Sequence, residues 1–219
     1  TDTGADVEDR TTATDALQSL QRLTALDFAP GSAWAYSNSN YFLLSEIAER
    51  AGKRPLAAQA HERLFAPLGM LHTHVHTDSR QLVPRRALSY SRLPRGGWRW
   101  NFSNWEQTGD GAVFTTVGDL FRWSRNFQSG AVGGAALLRA MASPGALDDG
   151  TPIEYGMGLF HETARDFASI SHGGAWAGYR AELLRVPAHE LTVICLCNRD
   201  DLQPSAICHS IAAAVLAPR

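Results

Sequence analysis

Tyr36 and Asn38 stand two residues apart in the stretch Gly31-Ser32-Ala33-Trp34-Ala35-Tyr36-Ser37-Asn38-Ser39-Asn40-Tyr41. A phenol has a pKa near 10, so it works as a base near neutrality only where positive charge favours its phenolate. The carboxamide beside it brings both a donor and an acceptor. Taken alone, a Tyr-x-Asn at a turn is ordinarily a buried tyrosine and a capping asparagine. A second candidate is Ser171-His172-Gly173-Gly174-Ala175. It sets an imidazole, partly charged near pH 7, in front of two glycines. By itself this is a strand end with a flexible glycine pair. His72, His74 and His76 alternate, so on a strand they share one face and could converge on a metal. Three alternate strand positions close a tetrahedral site poorly, and a His-rich surface strand is the plainer reading.

The elements that must hold these groups follow from periodicity. Pro30-Gly31 signals a turn, and from Tyr41 the apolar residues Leu44, Ile47, Ala48 and Ala51 recur at helical spacing until Gly52. Ser39 or Asn40 is the expected cap. Tyr36 and Asn38 therefore belong to a loop held between a turn and a helix. Upstream, residues 1–10 are polar and loop-like, and Thr11 to Leu26 has one apolar helical face. Downstream, Pro55 opens a helix carrying Leu56, Ala60 and Leu64, closed by Pro67 and Gly69.

Pro84 to Thr108 has no regular period and contains Trp98, Trp100 and Trp105. A loop this long in a folded domain is usually functional, and its tryptophans argue against disorder. Thr116 and Asp119 form a capping box ahead of a helix that ends at Gly130, and Ala135 to Met141 is a second, shorter helix. From Ile153 the period turns to strand: Tyr155–His161, Ala168–His172, Tyr179–Val186 and Leu191–Asn198, with a hairpin turn at Pro187-Ala188-His189-Glu190. Leu191 to Cys197 is apolar on both faces, which predicts a central strand. Pro204 opens a last helix with Ile207, Ile211 and Val215 four apart. Short links between successive strands imply an antiparallel sheet with the last helix packed on it, an α+β fold.

Four short motifs occur in one order. Phe28-Ala29-Pro30-Gly31 with Trp34-Ala35-Tyr36-Ser37-Asn38 resembles the Tyr-x-Asn motif of the penicillin-recognising serine hydrolases. That family includes class C β-lactamases, D-alanyl-D-alanine carboxypeptidases, D-aminopeptidases and related esterases. Ser171-His172-Gly173 resembles its Lys/His-x-Gly motif, and Leu68-Gly69-Met70 with Thr73, then Gly109-Asp110-Gly111 with Asp119-Leu120, fall where the family has secondary signatures. The resemblance covers nearly the whole chain. It implies a β-lactamase/DD-peptidase-like fold, an antiparallel sheet flanked by helices, and one domain over residues 1–219 that lacks its N-terminal part. Residues 10–150 would be the mainly helical part with Tyr-x-Asn, and 151–219 the strands with His-Gly-Gly and the C-terminal helix.

The resemblance also assigns roles. Tyr36 would shuttle protons, Asn38 would orient the acyl amide, and His172 would take the place of the family's frequent lysine. Gly173 and Gly174 would let the strand approach substrate. The Ala175 N–H would be one oxyanion donor, and Trp176 would lie over the substrate. His rather than Lys in the third motif is more typical of carboxypeptidase-, aminopeptidase- and esterase-like members than of true β-lactamases. The implied partner is a small-molecule amide or ester, with no cofactor and no metal.

The family's nucleophile lies in Ser-x-x-Lys upstream of Tyr-x-Asn. Lys53 is the one lysine here, and Arg50 stands three residues before it, so the chain contains no Ser-x-x-Lys. Nor does it contain a Gly-x-Ser-x-Gly elbow. The expectation is a serine hydrolase whose nucleophile lies on a missing N-terminal segment of the same protein, the chain alone being inactive or nearly so. The alternative is a non-catalytic ligand-binding protein of the same fold.

Composition narrows the partners. A net charge of −2 over 219 residues gives no electrostatic case for nucleic acid. No run of about 18 apolar residues exists to form a transmembrane helix. Cys195 and Cys197 alternate on one strand face, a poor geometry for a disulfide, and buried free thiols are expected with Cys208. None of this fixes a compartment; the family resemblance implies a bacterial periplasmic or secreted protein.

Overall fold

Local signals start and stop most helices in the computed structural model, which describes residues 10–164 and 167–217. The loop expected over residues 1–10 lies outside them except for Arg10. Helix α1 (Ala13–Leu20) starts at a complete capping box between Thr12 and Asp15. It stops short of the expected Leu26. Leu23 and Leu26 are exposed, so no packing would reward another turn. Helix α2 (Asn38–Gly52) begins earlier than its apolar period, because Ser37 takes the cap position and Ser39 and Asn40 fall inside the first turn. Its far end is closed by Lys53 in a left-handed conformation (φ 51°). Helix α3 (Leu56–Ala60) runs on into a π-helical turn, His61–Phe65.

Strand β1 (His74–Val75) pairs antiparallel with β4 (Val113–Phe114). The stretch expected to be an irregular loop contains a hairpin, β2 (Tyr90–Arg92) with β3 (Trp98–Trp100). Its turn uses Gly96 and Gly97, both at positive φ. Helix α4 (Val117–Ser129) is capped by Thr116 Oγ1, which accepts from the Asp119 N–H at 3.2 Å. The return half of the expected box is absent. The buried Asp119 carboxylate instead accepts from the His72 N–H and the Thr73 hydroxyl, both at 2.8 Å, and ties the loop before β1 to α4. Helix α5 (Gly134–Met141) and a small hairpin, β5 (Gly145–Ala146) with β6 (Pro152–Ile153), follow.

The remaining strands form an antiparallel meander: β7 (Phe160–Ala164), β8 (Phe167–Trp176), β9 (Tyr179–Val186) and β10 (Leu191–Cys197), in the order β10-β9-β8-β7. The strand expected from Tyr155 begins only at Phe160, because Gly156 to Gly158 turns the chain, with Gly158 at φ 80°. Helix α6 (Pro204–Leu216) covers one face through Cys208 and Ala212, which pack with Phe167, Leu184, Val186 and Val193. The apolar row expected to make that contact, Ile207, Ile211 and Val215, is on the exposed side of α6. Helix α4 covers the other face at Thr192 and Arg185.

Strand β10 is thus covered on both faces, as its composition predicts, yet it is an edge strand rather than a central one: among the described residues it pairs with β9 alone. Apolarity on both faces reports helices above and below; it carries no information about how many edges are hydrogen-bonded.

Candidate active site

The loop carrying Tyr36 is anchored before it reaches the sheet. Gly31 sits at φ 80°, its carbonyl accepts from the Asp148 N–H at 3.0 Å, and a Cβ there would collide with the Asp148 carboxylate. The chain then crosses Trp34 and Tyr36 and enters α2 at Asn38. No side chain caps that helix end, so its first N–H groups and the positive end of its dipole are left beside the loop. Asn38 is exposed on the first turn. Gly109 presses against the same turn: a Cβ on it would lie 2.6 Å from the Tyr41 carbonyl oxygen and 2.5 Å from Ser45 Cβ. The Ser45 hydroxyl donates to the Thr108 carbonyl oxygen at 2.8 Å. That contact is what the Gly109-Asp110-Gly111 turn does here, and it sets Asp110 in the electrostatic surroundings of Tyr36.

The sheet supplies the opposite wall. Strand β8 pairs with β7 only as far as Ser171, opposite Phe160, so His172 to Trp176 form an edge open on that side. The two-residue loop Ala177-Gly178 closes the β8–β9 hairpin on the pair Trp176–Tyr179. Counting back, the hydrogen-bonded pairs fall at Trp176, Gly174 and His172, and the N–H groups of Gly173 and Ala175 point to the open edge. Side chains alternate in the same way: His172, Gly174 and Trp176 face the cleft and Gly173 faces away. A Cβ on Gly173 would come 2.9 Å from the carboxylate of the buried Glu182, whereas one on Gly174 would make only ordinary contact with Ala181. The two glycines therefore have separate physical reasons. Gly174 leaves a gap between His172 and Trp176; Gly173 makes room for Glu182 behind the strand.

Across this cleft the rings of Tyr36 and His172 lie 5.9 Å apart. Tyr36 also stacks on Phe160 at 5.9 Å and meets the edge of Tyr155 at 6.0 Å. The His172 Nδ1 donates to the Gly173 carbonyl oxygen at 2.6 Å, and its Nε2 is 3.4 Å from the Tyr155 hydroxyl. Trp176 packs against Trp105 at 5.5 Å, so Trp105 extends the wall at the end of β8. Trp98 lies under the Arg199 guanidinium, 4.4 Å from its carbon, and Trp100 packs on Phe102.

Sequence reasoning missed Trp34, Tyr155 and Phe160. Tyr155 is buried, 5.4 Å from Trp34 and 4.7 Å from Phe160. Its one signal was an aromatic at the head of an expected strand.

The electrostatics of the cleft run against a phenolate. Burial pushes the Tyr36 phenol up, and the neighbouring Tyr41 and Asp110 push it the same way. Burial and the hydrogen bond with Tyr41 push Tyr155 up strongly. Asp110 is itself raised by burial. Lys53 is no help: it caps the opposite end of α2, about 22 Å along the axis from Asn38 at 1.5 Å per residue.

The three histidines expected to share a strand face do not form a ligand set. His76 stacks on Phe114 at 4.3 Å, the His74 ring is 5.6 Å from that of His76, and His72 engages Asp119 through its backbone. Among the described residues no group of three or more His, Cys, Asp or Glu could hold a metal ion. Cys195 Sγ and Cys197 Sγ are 3.5 Å apart and free, as is the buried Cys208. No described helix is long and apolar enough to cross a membrane.

An antiparallel sheet backed by a terminal helix, with an open strand edge facing a helix N-terminus, is the architecture of the penicillin-binding and β-lactamase-like folds. The octameric penicillin-binding protein homologue from Pyrococcus abyssi superposes with a TM-score of 0.83 over 94% of this chain and 48% of its own, at 19% identity. A D-stereospecific amidohydrolase from Streptomyces sp. superposes at 0.79 over 96% of this chain and 63% of its own, at 21% identity. The chain belongs to the Beta-lactamase family, whose sequence model matches residues 2–217. It is 29% identical over 203 residues to a D-aminopeptidase of Cereibacter sphaeroides, an alignment covering 93% of this chain and 38% of that protein. It is 30% identical over 189 residues to penicillin-binding protein 4* of Bacillus subtilis, covering 80% and 42%. The chain thus spans about two-fifths of the length of these curated relatives.

Proposed function

We propose that this chain carries the proton-transferring and substrate-orienting side of a serine hydrolase that acts on a small amide or ester through an acyl-enzyme. The carrying observation is the meeting of Tyr36 with His172 at an open strand edge onto which the Ala175 N–H projects. Membership of the Beta-lactamase family supports the reaction type. The relatives named D-aminopeptidase, and solved structures described as D-amino acid amidase, make a D-amino acid amide the first substrate to test.

In this reading a serine hydroxyl attacks the acyl carbon, and Tyr36 accepts its proton and returns it to the leaving amine. Asn38 orients the acyl amide. The Ala175 N–H stabilises the oxyanion, together with the N–H of the nucleophile itself. Gly174 admits the substrate backbone between His172 and Trp176, and Gly173 keeps β8 flat against Glu182. The serine and its lysine belong to a segment outside this chain, and residues 1–219 are the larger part of one β-lactamase-like domain. The raised Tyr36 phenol supports that division of labour, because among the described residues no cation acts on it to favour its phenolate. This chain alone is then inactive or nearly so.

The test is intact-mass analysis after treatment with a fluorophosphonate, on this chain and on the polypeptide extended upstream of Thr1. An adduct only on the extended protein, mapped to the added segment, supports the reading. An extended protein that lacks Ser-x-x-Lys and takes no adduct would leave the second reading, a binding protein of the same fold. That alternative uses the raised phenol as it stands, as a hydrogen-bond donor to a bound ligand, with no added cation.

A further inference from the structure

Arg185, on β9, is a buried charge with no counter-ion among the described residues. Only 7% of its surface is exposed. Its register partners are Ile170 on β8 and Thr192 on β10, and its side chain lies beneath α4. There the Nε–H donates to the Ser124 hydroxyl at 3.2 Å, and the guanidinium carbon sits 4.3 Å from the centre of the Phe127 ring. Ser124 in turn shares a 2.7 Å hydrogen bond with Thr192. Among the described residues no carboxylate lies within ion-pairing distance of Arg185. Glu190 stands at the rim of the same space, exposed and unbonded to it.

Arginine is seldom this buried without a partner, because the desolvation of its charge costs several kcal/mol. A guanidinium has five N–H donors in a planar fork, and among the described residues one of them has a protein partner. The remaining fork belongs to the lining of a cavity of about 160 Å³ between the α4 residues Phe127 and Gln128 and the β10 residues Leu191 and Thr192. That is room for several waters, each about 30 Å³ in the liquid. Phe127, Pro187 and Leu191 share the lining with the polar Gln128 and Thr192 and with Glu190, and a planar cation without an ion-pair partner in that space is a receptor for a planar anion received bidentately.

We infer that the cavity beside Arg185 is a carboxylate site, separate from the cleft of Tyr36 and His172. The carboxylate has two possible sources. One is a free small carboxylate. The other is an Asp or Glu side chain of the upstream segment invoked under the proposed function, and that source alone rests on the earlier reading.

The experiment uses sodium formate as the probe and thermal unfolding as the readout, against sodium chloride at equal ionic strength. For this chain, formate at about five times its Kd should raise Tm by about 2–4 °C. Arg185→Met should abolish the response and, in chloride, melt above the parent because the unpaired charge is gone. Should Arg185→Met fail to fold, Arg185→Lys keeps the charge but loses the fork, and the concentration of formate needed for half the response should rise at least tenfold. No saturable response in the parent, or an equal response in the variants, would overturn the inference. In the upstream-extended protein, a response that persists identifies a free carboxylate. A response that disappears while Arg185→Met becomes destabilising identifies a side chain of the segment. A response that disappears with Arg185→Met still stabilising would also overturn it.

Discussion

The Tyr36 ring stands 5.9 Å from that of His172, with Phe160 and Tyr155 around both and with burial, Tyr41 and Asp110 acting together to keep the phenol protonated. A tyrosine in that setting donates hydrogen bonds readily and accepts protons poorly. The proposed role as a base therefore requires a cation beside the phenol.

Tyr36→Phe is therefore expected to cost about 10²–10⁴-fold in kcat in the upstream-extended protein, the usual range for a lost general acid–base group. Because Tyr36 is half-exposed, Tm should move little. Hydrolysis of a D-amino acid p-nitroanilide and circular dichroism melting check both halves. Activity within threefold of the parent would remove Tyr36 from the mechanism.

Gly109→Ala should destabilise the fold by more than the ~1–3 kcal/mol of a strained backbone position. At φ 99° the new Cβ would also meet the Tyr41 carbonyl and Ser45 at about 2.5 Å. Urea unfolding measures this, and an unchanged midpoint would mean that the turn does not rest on α2.

Asp119→Ala removes a buried carboxylate that accepts from the His72 N–H and the Thr73 hydroxyl. Bonds to a charged acceptor are worth about 1.5–3 kcal/mol each, so a loss of at least ~2 kcal/mol is expected by denaturant titration. Faster amide exchange should be confined to residues 71–76. Uniform exchange over the whole chain would contradict a local tie.

Glu182 gives a pH dependence with a definite sign. It is buried behind Gly173, and burial raises its carboxyl above the ordinary 4.5, only partly offset by the Ser171 hydrogen bond and by His209, with Glu162 adding to the rise. A folded-state pKa above the unfolded one contributes stability at low pH that is lost as pH climbs through the folded value. Glu182→Gln should thus melt above the parent at pH 7, with the difference shrinking toward pH 4. Parallel melting curves across that range would show that Glu182 titrates as in water.

The free edge of β10 and the exposed row Ile207, Ile211 and Val215 on α6 make self-association the expected behaviour of this chain in isolation. Sedimentation velocity over a hundredfold range of concentration should show mass increasing with concentration. A cooperatively melting monomer throughout would count against an unfilled edge.

Much of the fold could be read before any coordinates. The strand series from Phe167 to Cys197 and the positions of α2, α4 and α6 follow from hydrophobic period and punctuation by Gly and Pro. The misreadings share a cause. Leu191–Cys197, Ile207–Val215 and Leu23–Leu26 are apolar, and apolarity says that a residue gains from burial without saying what buries it. The site divides in the same way. Tyr36, Asn38 and His172 carry short motifs and are visible in the chain. Phe160 and Arg185 have no local signature, Trp34 and Tyr155 are visible only as aromatics beside a motif and at the head of an expected strand, and the meaning of all four comes from what the sheet brings next to them.

The meander from β7 to β10 has a consequence for how the molecule is made. Each of its strands pairs with the next in the chain, so its loops are cheap to close and it can form early. The cleft is the opposite case, since Tyr36 must travel from the first part of the chain to meet a strand in the last. Assembly should then be sequential, with an aromatic junction that closes only after the hairpins exist. Trp34, packed 5.4 Å from Tyr155 across that junction, would report the final step in a variant whose other five tryptophans are replaced by Phe. In stopped-flow refolding its emission should lag behind the far-ultraviolet signal of the sheet.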